Sequence, residues 1–348
     1  MPIPDSDGLF TGGWARTRAL VSRRWARWLS LPLLVLVVIS GYMWWWDEEI
    51  ASYDSIAQTH ATADARGERV VVGTLTTDAL IQVVDHLLHK RGGYLSNDKL
   101  PPGAVMDNVP NWEFGVLVQS RDLARALRNS FSRSLTQSIE DKDLAEAEPQ
   151  LSFANDSWLF PSTEGEYADA MEYLIRYRTR LQDADLSDAQ FFARADNLAD
   201  YLGVVETRLG SLSQRLSASV GQMRINTDLG NDISAVQSRP GAGENLVETP
   251  WNEIDDVFYE ARGTAFALTI FLHAIEQDFG AALDNKNARV NLQQVIRELE
   301  EAQQPLDSPV VLNGSSFGFF ANHSLVLANY ISRANATVIE LRSLLERG

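Results

Sequence analysis

Apolar positions recur along most of this chain with the period of an α-helix, and the one long run that breaks the pattern has no polar face at all. That run is Trp28 to Trp46, WLSLPLLVLVVISGYMWWW, uncharged between Arg27 and Asp47. At about 1.5 Å per residue it comes close to the ~30 Å hydrocarbon thickness of a bilayer. Residues 29–46 are therefore expected to form a transmembrane helix, with Pro32 tolerated in its first turn. Beyond it, Leu80, Val83, Val84, Leu87 and Leu88 fall on one face of a helix from Thr77 to Lys90, which Arg91-Gly92-Gly93 stops. A helix over Trp112 to Ile139 carries the stripe Phe114, Leu117, Val118, Leu127, Phe131 and Leu135. Thr163-x-x-Glu166 is a capping box opening a helix to Gln182, and Ser187-x-x-Gln190 is a second box.

The most regular stretch follows that second box. Phe191, Ala195, Leu198, Leu202, Val205, Leu209, Leu212 and Leu216 are spaced 4, 3, 4, 3, 4, 3 and 4. A period of about 3.5 residues is the seam of a left-handed supercoiled pair or bundle. It closes either within the chain or between copies, so a homo-oligomer stays open. Thr249-Pro250 is a start signal for a helix from Trp251 to Leu283, whose wide apolar face (Ile254, Val257, Phe258, Ala261, Ala265, Leu268, Leu272, Ile275, Phe279) makes it the expected centre of the core. Further helices are expected over Asn287–Gln303 and Asn322–Glu346, the last carrying Leu325, Ala328, Ile331, Val338, Leu341 and Leu345. Val310-Val311-Leu312 before Asn313-Gly314 is the one strong strand-like signal. The expected fold is all-α: an N-terminal transmembrane helix, a membrane-proximal helix or stalk over 47–73, and a large helical bundle with long loops over 74–348. Tyr94 to Asn111 reads as an ordered loop. Asn226 to Pro250, rich in Gly, Asn and Pro, is a mobile loop or a hinge between two domains.

Charge adds direction. Arg16, Arg18, Arg23, Arg24 and Arg27 precede the apolar run, whereas Asp47, Glu48, Glu49 and Asp54 follow it. The positive-inside bias puts the basic tail, residues 1–28, in the cytoplasm and the rest across the membrane. Trp25, Trp28, Tyr42, Trp44, Trp45 and Trp46 suit the two interfacial aromatic belts. A cleaved signal peptide is the competing reading, but no small-residue cleavage site follows and three tryptophans stand where one would be needed. Of the 30 basic and 47 acidic residues, residues 1–46 hold 5 and 2, which leaves about −20 on the outer part. Such a surface repels nucleic acid. There is no cysteine, so disulfides and thiolate chemistry are excluded.

Candidate chemistry is sparse. His86 and His89 stand at i and i+3 on one helical face, a metal-compatible spacing, but no third ligand is fixed and no H-E-x-x-H occurs; a polar helix face is the simpler reading. His273 and Glu276 share that spacing and read as a buried hydrogen-bonded pair, and His323 as a capping or packing residue at a helix start. The clusters Trp112-Glu113-Phe114 and Trp158-Leu159-Phe160 read as core before they read as a sugar or peptide groove. No nucleophile elbow, phosphate loop or nucleotide fingerprint is present. No catalytic, cofactor-binding or metal-binding residue is assigned, and no cofactor is expected.

Several strings carry a resemblance: GGYLSNDKLPPG (92–103), DNVPNWEFGVLVQSRDLARALR (107–128), ARADNLADYL (193–202), RLGSLSQRLSASVG (208–221) and GFFANHSLVLANYISRANA (318–336). Over most of 70–345 the chain resembles a family of proteobacterial single-span inner-membrane proteins known only as a domain of unknown function. The resemblance implies a Gram-negative inner membrane and a periplasmic domain, and brings no catalytic residues. The leading expectation is a periplasmic interaction or scaffold module, anchored in the bilayer through 29–46 and serving an envelope protein partner; an enzymatic role is the less favoured reading. The alternatives are an anchored enzyme acting on cell-wall material through paired carboxylates, and a ligand-binding domain whose pocket uses the Tyr94–Asn111 loop.

Overall fold

The computed structural model describes residues 30–47, 50–134, 139–183, 188–225, 244–308, 310–315 and 318–347. The basic tail, Leu135 and Ser187, and residues 226–243 of the expected hinge lie outside these. The described residues are overwhelmingly helical, as the apolar period predicts.

The first helix, α1, covers 30–46. Its 17 residues span about 25 Å, and among the described residues no helix is long and apolar enough to cross a membrane. Leu29 of the expected span at 29–46 is not among the described residues, and Pro32, Ser40, Gly41, Tyr42 and three tryptophans lower the apolar character of the 17 that are. Side chains 30–38 are all exposed, Leu31 at 66% and Leu36 at 62%; only the last turn touches the rest of the chain, where Trp46 lies over Gly92.

Local hydrogen bonds set most element ends. In α2 (Ser55–Arg66), Asp54 accepts from the Ala57 N–H, and Gly67 closes the helix in the left-handed region. α2 lies on α3 (Thr74–His89), where the Gln82 amide donates to Thr59 Oγ1. α4 (Asn108–Ala126) continues into a π turn over Leu127–Phe131, closed by the Ser132 N–H on the Leu127 carbonyl. The helix expected to run to Ile139 therefore stops at Phe131. An unforeseen helix, α5 (Lys142–Leu151), begins where Asp141 accepts from the N–H groups of Asp143 and Leu144; Pro149 falls in its last turn.

α6 (Thr163–Gln182) has the expected bounds with a different cap: Ser162 accepts from the Gly165 N–H, while the Thr163 hydroxyl donates to the Ala154 carbonyl. The second expected box opens no helix. Gln190 precedes an extended segment, because the Phe192 N–H is held by the Phe131 carbonyl and Phe191 fills a ring cluster with Phe131 and Phe279. Phe191 also covers Gly73, whose φ of 92° and missing side chain are both needed there. α7 (Ala195–Ser217) starts only after this anchor.

Thr249 likewise does not cap. Its N–H and hydroxyl donate to the carbonyls of Ala218 and Arg215. A single 3₁₀ turn (Trp251–Glu253) leads into α8 (Ile254–Asp278), and the chain bends at Phe279 before α9 (Gly280–Asn285). α10 is Arg289–Glu301 and α11 is His323–Glu346, capped by Asn322 on the Leu325 N–H. Val310–Leu312 forms no strand, only leading into an isolated bridge of Asn313 with Asn322. The small sheet is elsewhere: β1 (Gln222–Ile225) pairs antiparallel with β2 (Glu244–Val247) at the two edges of the glycine-rich segment.

α8 is the centre, as its apolar face predicts. It packs against α3, α4 and α10, and nearly all of its residues from Ala261 to Ile275 are buried. The heptad seam closes within the chain: Leu198, Leu202, Val205, Leu209, Leu212 and Leu216 are buried where α7 packs on α11, opposite Leu327, Ile331, Ala334, Val338, Leu341 and Leu345. Leu325, expected in that stripe, is only half-buried.

The helices have two common ends. Asn111 donates to Asp256, so α4 and α8 start together; Asn97 donates to Glu164, which brings the α6 start to the loop after α3. Arg262 donates to the carbonyls at the end of α10, and Arg215 at the end of α7 pairs with Glu260. The same end receives the last turn of α1 and the start of α11.

Candidate functional site

The last turn of α1 seats over a cleft of about 530 Å³ bordered by Trp44, Lys90, Trp112, Tyr259, Arg262 and Leu306. A buried charge lies beneath it. Glu113 projects from α4 with no solvent exposure, 2.6 Å from the Lys90 ammonium, and accepts from the N–H groups of Leu95 and Ser96, each at 2.8 Å. Burial pushes its carboxyl above the usual range; the Lys90 charge and the donors from Ser96 and Leu95 oppose that push. The arrangement orders the loop after Gly93 as the sequence predicts, with Tyr94, Leu95 and Asn97 buried. Arg262, on the other wall, is spent on the carbonyls of the turn that follows α10, donating to Gln304 at 2.8 Å and Gln303 at 3.2 Å. Both cationic side chains of the cleft therefore hold structure rather than await a ligand.

The remaining candidates are dispersed. His86 and His89 border a shallow hollow of about 460 Å³ with Asp85. Each turns its Nδ1 to its own helix: His86 lies 2.7 Å from the Gln82 carbonyl and stacks on Tyr53, and His89 lies 2.9 Å from the Asp85 carboxylate. Among the described residues no group of three or more His, Asp or Glu is placed to hold a metal ion. His273 and Glu276 do not pair, a correction to the expected couple. His273 is half-exposed beside Glu300 at 3.2 Å, whereas Glu276 accepts from Gln293 at 2.7 Å. His323 does sit at the first position of α11, its Nδ1 accepting from the Leu312 N–H at 3.0 Å.

One further hollow gathers Glu140, Asp141 and Asp188, and arginine engages each: Arg128 on Glu140 at 2.8 Å, Arg180 on Asp141 at 2.7 Å and on Asp188 at 3.4 Å. Two other charges are buried as ties between helices. Asp78 pairs with Arg178 at 2.6 Å, and Asp278 accepts from the Thr76 N–H and hydroxyl. Burial raises both carboxyls, against the Arg178 and Thr76 donors.

The two aromatic clusters part company. Trp112 and Glu113 are buried, as expected, but Trp158-Leu159-Phe160 is not core: Trp158 is half-exposed and Phe160 is 99% exposed. Sequence reasoning missed Leu100, Trp251, Phe319 and Phe320, also exposed. The available signal was their setting beside Pro101, Pro250 and Gly318, apolar residues in stretches without helical period.

Fold and site together define an all-α helical protein in which no catalytic function is identifiable among the described residues. The chain belongs to the bacterial family described as an uncharacterized protein conserved in bacteria (DUF2333), whose model matches residues 20–348. No curated protein and no solved structure matches it.

Proposed function

We propose that this protein is an inner-membrane-anchored interaction module, its helical domain held on the periplasmic side to bind or organise another envelope protein. The observation that carries the reading is α1, an apolar helix exposed on every side that packs against the domain only at its last turn. An unpartnered surface of this kind calls for a bilayer or a protein to cover it. The uncharged run from Trp28 to Trp46, five arginines before it and four acids after it supply the rest of the argument for a bilayer and for orientation. In-cell crosslinking, solubilisation and capture of the full chain through a C-terminal tag tests the interaction role. A reproducible set of envelope proteins is the expected result, and recovery of this chain alone would overturn the role.

A further inference from the structure

Outside α1, the exposed large apolar residues are not spread evenly over the domain. The five exposed aromatics among the described residues beyond α1, Trp158, Phe160, Trp251, Phe319 and Phe320, all stand at the end of the bundle where α6, α8 and α11 begin. Exposed Leu100 and Val105 join them, on the loop tied to α6 through Asn97. Toward the opposite end the exposed large apolar residues among those described are Val72, Ile139, Val290 and, on the helix flanks, Val204 and Ile339, with no aromatic. The aromatic end is also the one from which α1 leaves, since Trp44 and Met43 lie against Val105, Met106 and Asp107.

From this we infer that the aromatic end is a second membrane contact: the loops carrying Leu100, Phe160 and Phe319 dip into the interface of the bilayer that holds α1. The inference rests on the anchoring reading above. Continuity picks the occupant, because a helix fixed in the bilayer at 30–46 brings the end it leaves from down onto the same lipid surface. Side-chain chemistry agrees, since Trp and Phe on irregular loops suit the headgroup–acyl boundary, reached to a depth of about 5–10 Å. Charge sets the kind of contact. Asp107, Glu253, Asp255 and Asp256 cluster at this end and outweigh exposed Lys99 beside Leu100, so anionic lipid gains no net attraction and the contact is apolar, persisting on zwitterionic lipid and at high salt.

The chain has no cysteine, which allows single reporters to be placed in the full protein. Phe160→Cys, Phe319→Cys, Ile139→Cys, Val290→Cys and, within α1, Leu34→Cys would each carry an environment-sensitive fluorophore, reconstituted in phosphatidylcholine vesicles with and without nitroxide-labelled lipid. Far-ultraviolet circular dichroism of each labelled protein confirms folding, and both reporters of a given end must agree. The expected result is a blue shift and loss of most fluorescence at 34, 160 and 319, with 139 and 290 unmoved. Quenching at 34 but not at 160 and 319 would overturn the second contact and leave the anchor standing. Quenching at all five positions would overturn the end-specific contact. Absence of quenching at 34 would overturn the anchor itself, and the contact with it.

Discussion

The pairs α7/α11 and α4/α8 are both extensive helix–helix contacts, yet they are written in the sequence in opposite ways. α7 and α11 run antiparallel, Glu206 meeting Arg342 at 2.9 Å, and bury two apolar rows that each alternate in steps of three and four. Leucines and valines fill that interface. α4 and α8 run parallel, and their contact depends on what is missing. A Cβ on Gly115 would run into the Glu260 carbonyl oxygen, and one on Gly263 into that of Trp112. Period specifies the first pair; absence of volume specifies the second. The tight pair also carries the polar burden, with Glu113 and Asn111 on α4 and Asp256 on α8.

Substitutions that act on one pair and spare the other sharpen this contrast. Lys90→Met, which leaves the buried Glu113 carboxylate of α4 without its ion-pair partner, is expected to cost about 3–5 kcal/mol in denaturant unfolding at pH 8. The penalty shrinks on acidification: the raised Glu113 carboxyl regains its proton as pH falls, and a neutral acid tolerates burial without its partner. A loss independent of pH would contradict the assignment. Gly263→Ala is next, about 3 kcal/mol, since backbone rather than a pliable side chain must move. Leu209→Ala, buried in the α7 seam, should cost about 2–3 kcal/mol by opening a cavity. If Gly263→Ala proved milder than Leu209→Ala, the close-approach account of α4/α8 would fail.

Asp256 gives the smallest effect and the opposite sign. Burial, then Asp255, Asp107 and other nearby carboxylates, push it up to about 6. With its folded value above its unfolded one, its stabilising contribution is full below pH 4 and is lost as pH rises through 6. Asp256→Asn keeps an acceptor for the Asn111 amide and removes the charge. Above pH 6 it should stabilise by about 1 kcal/mol or less, allowing for solvent screening, and be neutral near pH 4. Thermal unfolding across that range reads it directly.

The same division separates what was legible in the sequence from what was not. The seam of α7, the face of α3 and the central role of α8 followed from periodicity, because a helix must bury its apolar stripe. Gly115 and Gly263 gave no such signal, since a missing side chain has no period. The false helix start at Ser187–Gln190 fits a capping pattern that Phe191, drawn into the Phe131–Phe279 ring cluster, overrides. Thr249 and Thr163 are correct cap types whose hydroxyls found carbonyls in neighbouring segments instead. His273 and Glu276 share a spacing, but the neighbours on α10 took each one separately. At the cleft, Glu113 looked like part of an aromatic cluster, and only the return of the 90–96 loop makes it an ion-pair partner. Phe160 broke the expectation of core because it stands, like Phe319, in a loop, where apolar residues answer to whatever lies outside the fold.

What lies outside is the central claim. It is tested most directly by washing membranes of cells producing the full chain with alkaline carbonate and blotting pellet and supernatant. A bilayer around residues 29–46 predicts that the intact 38.7 kDa protein stays in the pellet and leaves it only with detergent. Release into the wash would mean that α1 is covered by protein, not lipid.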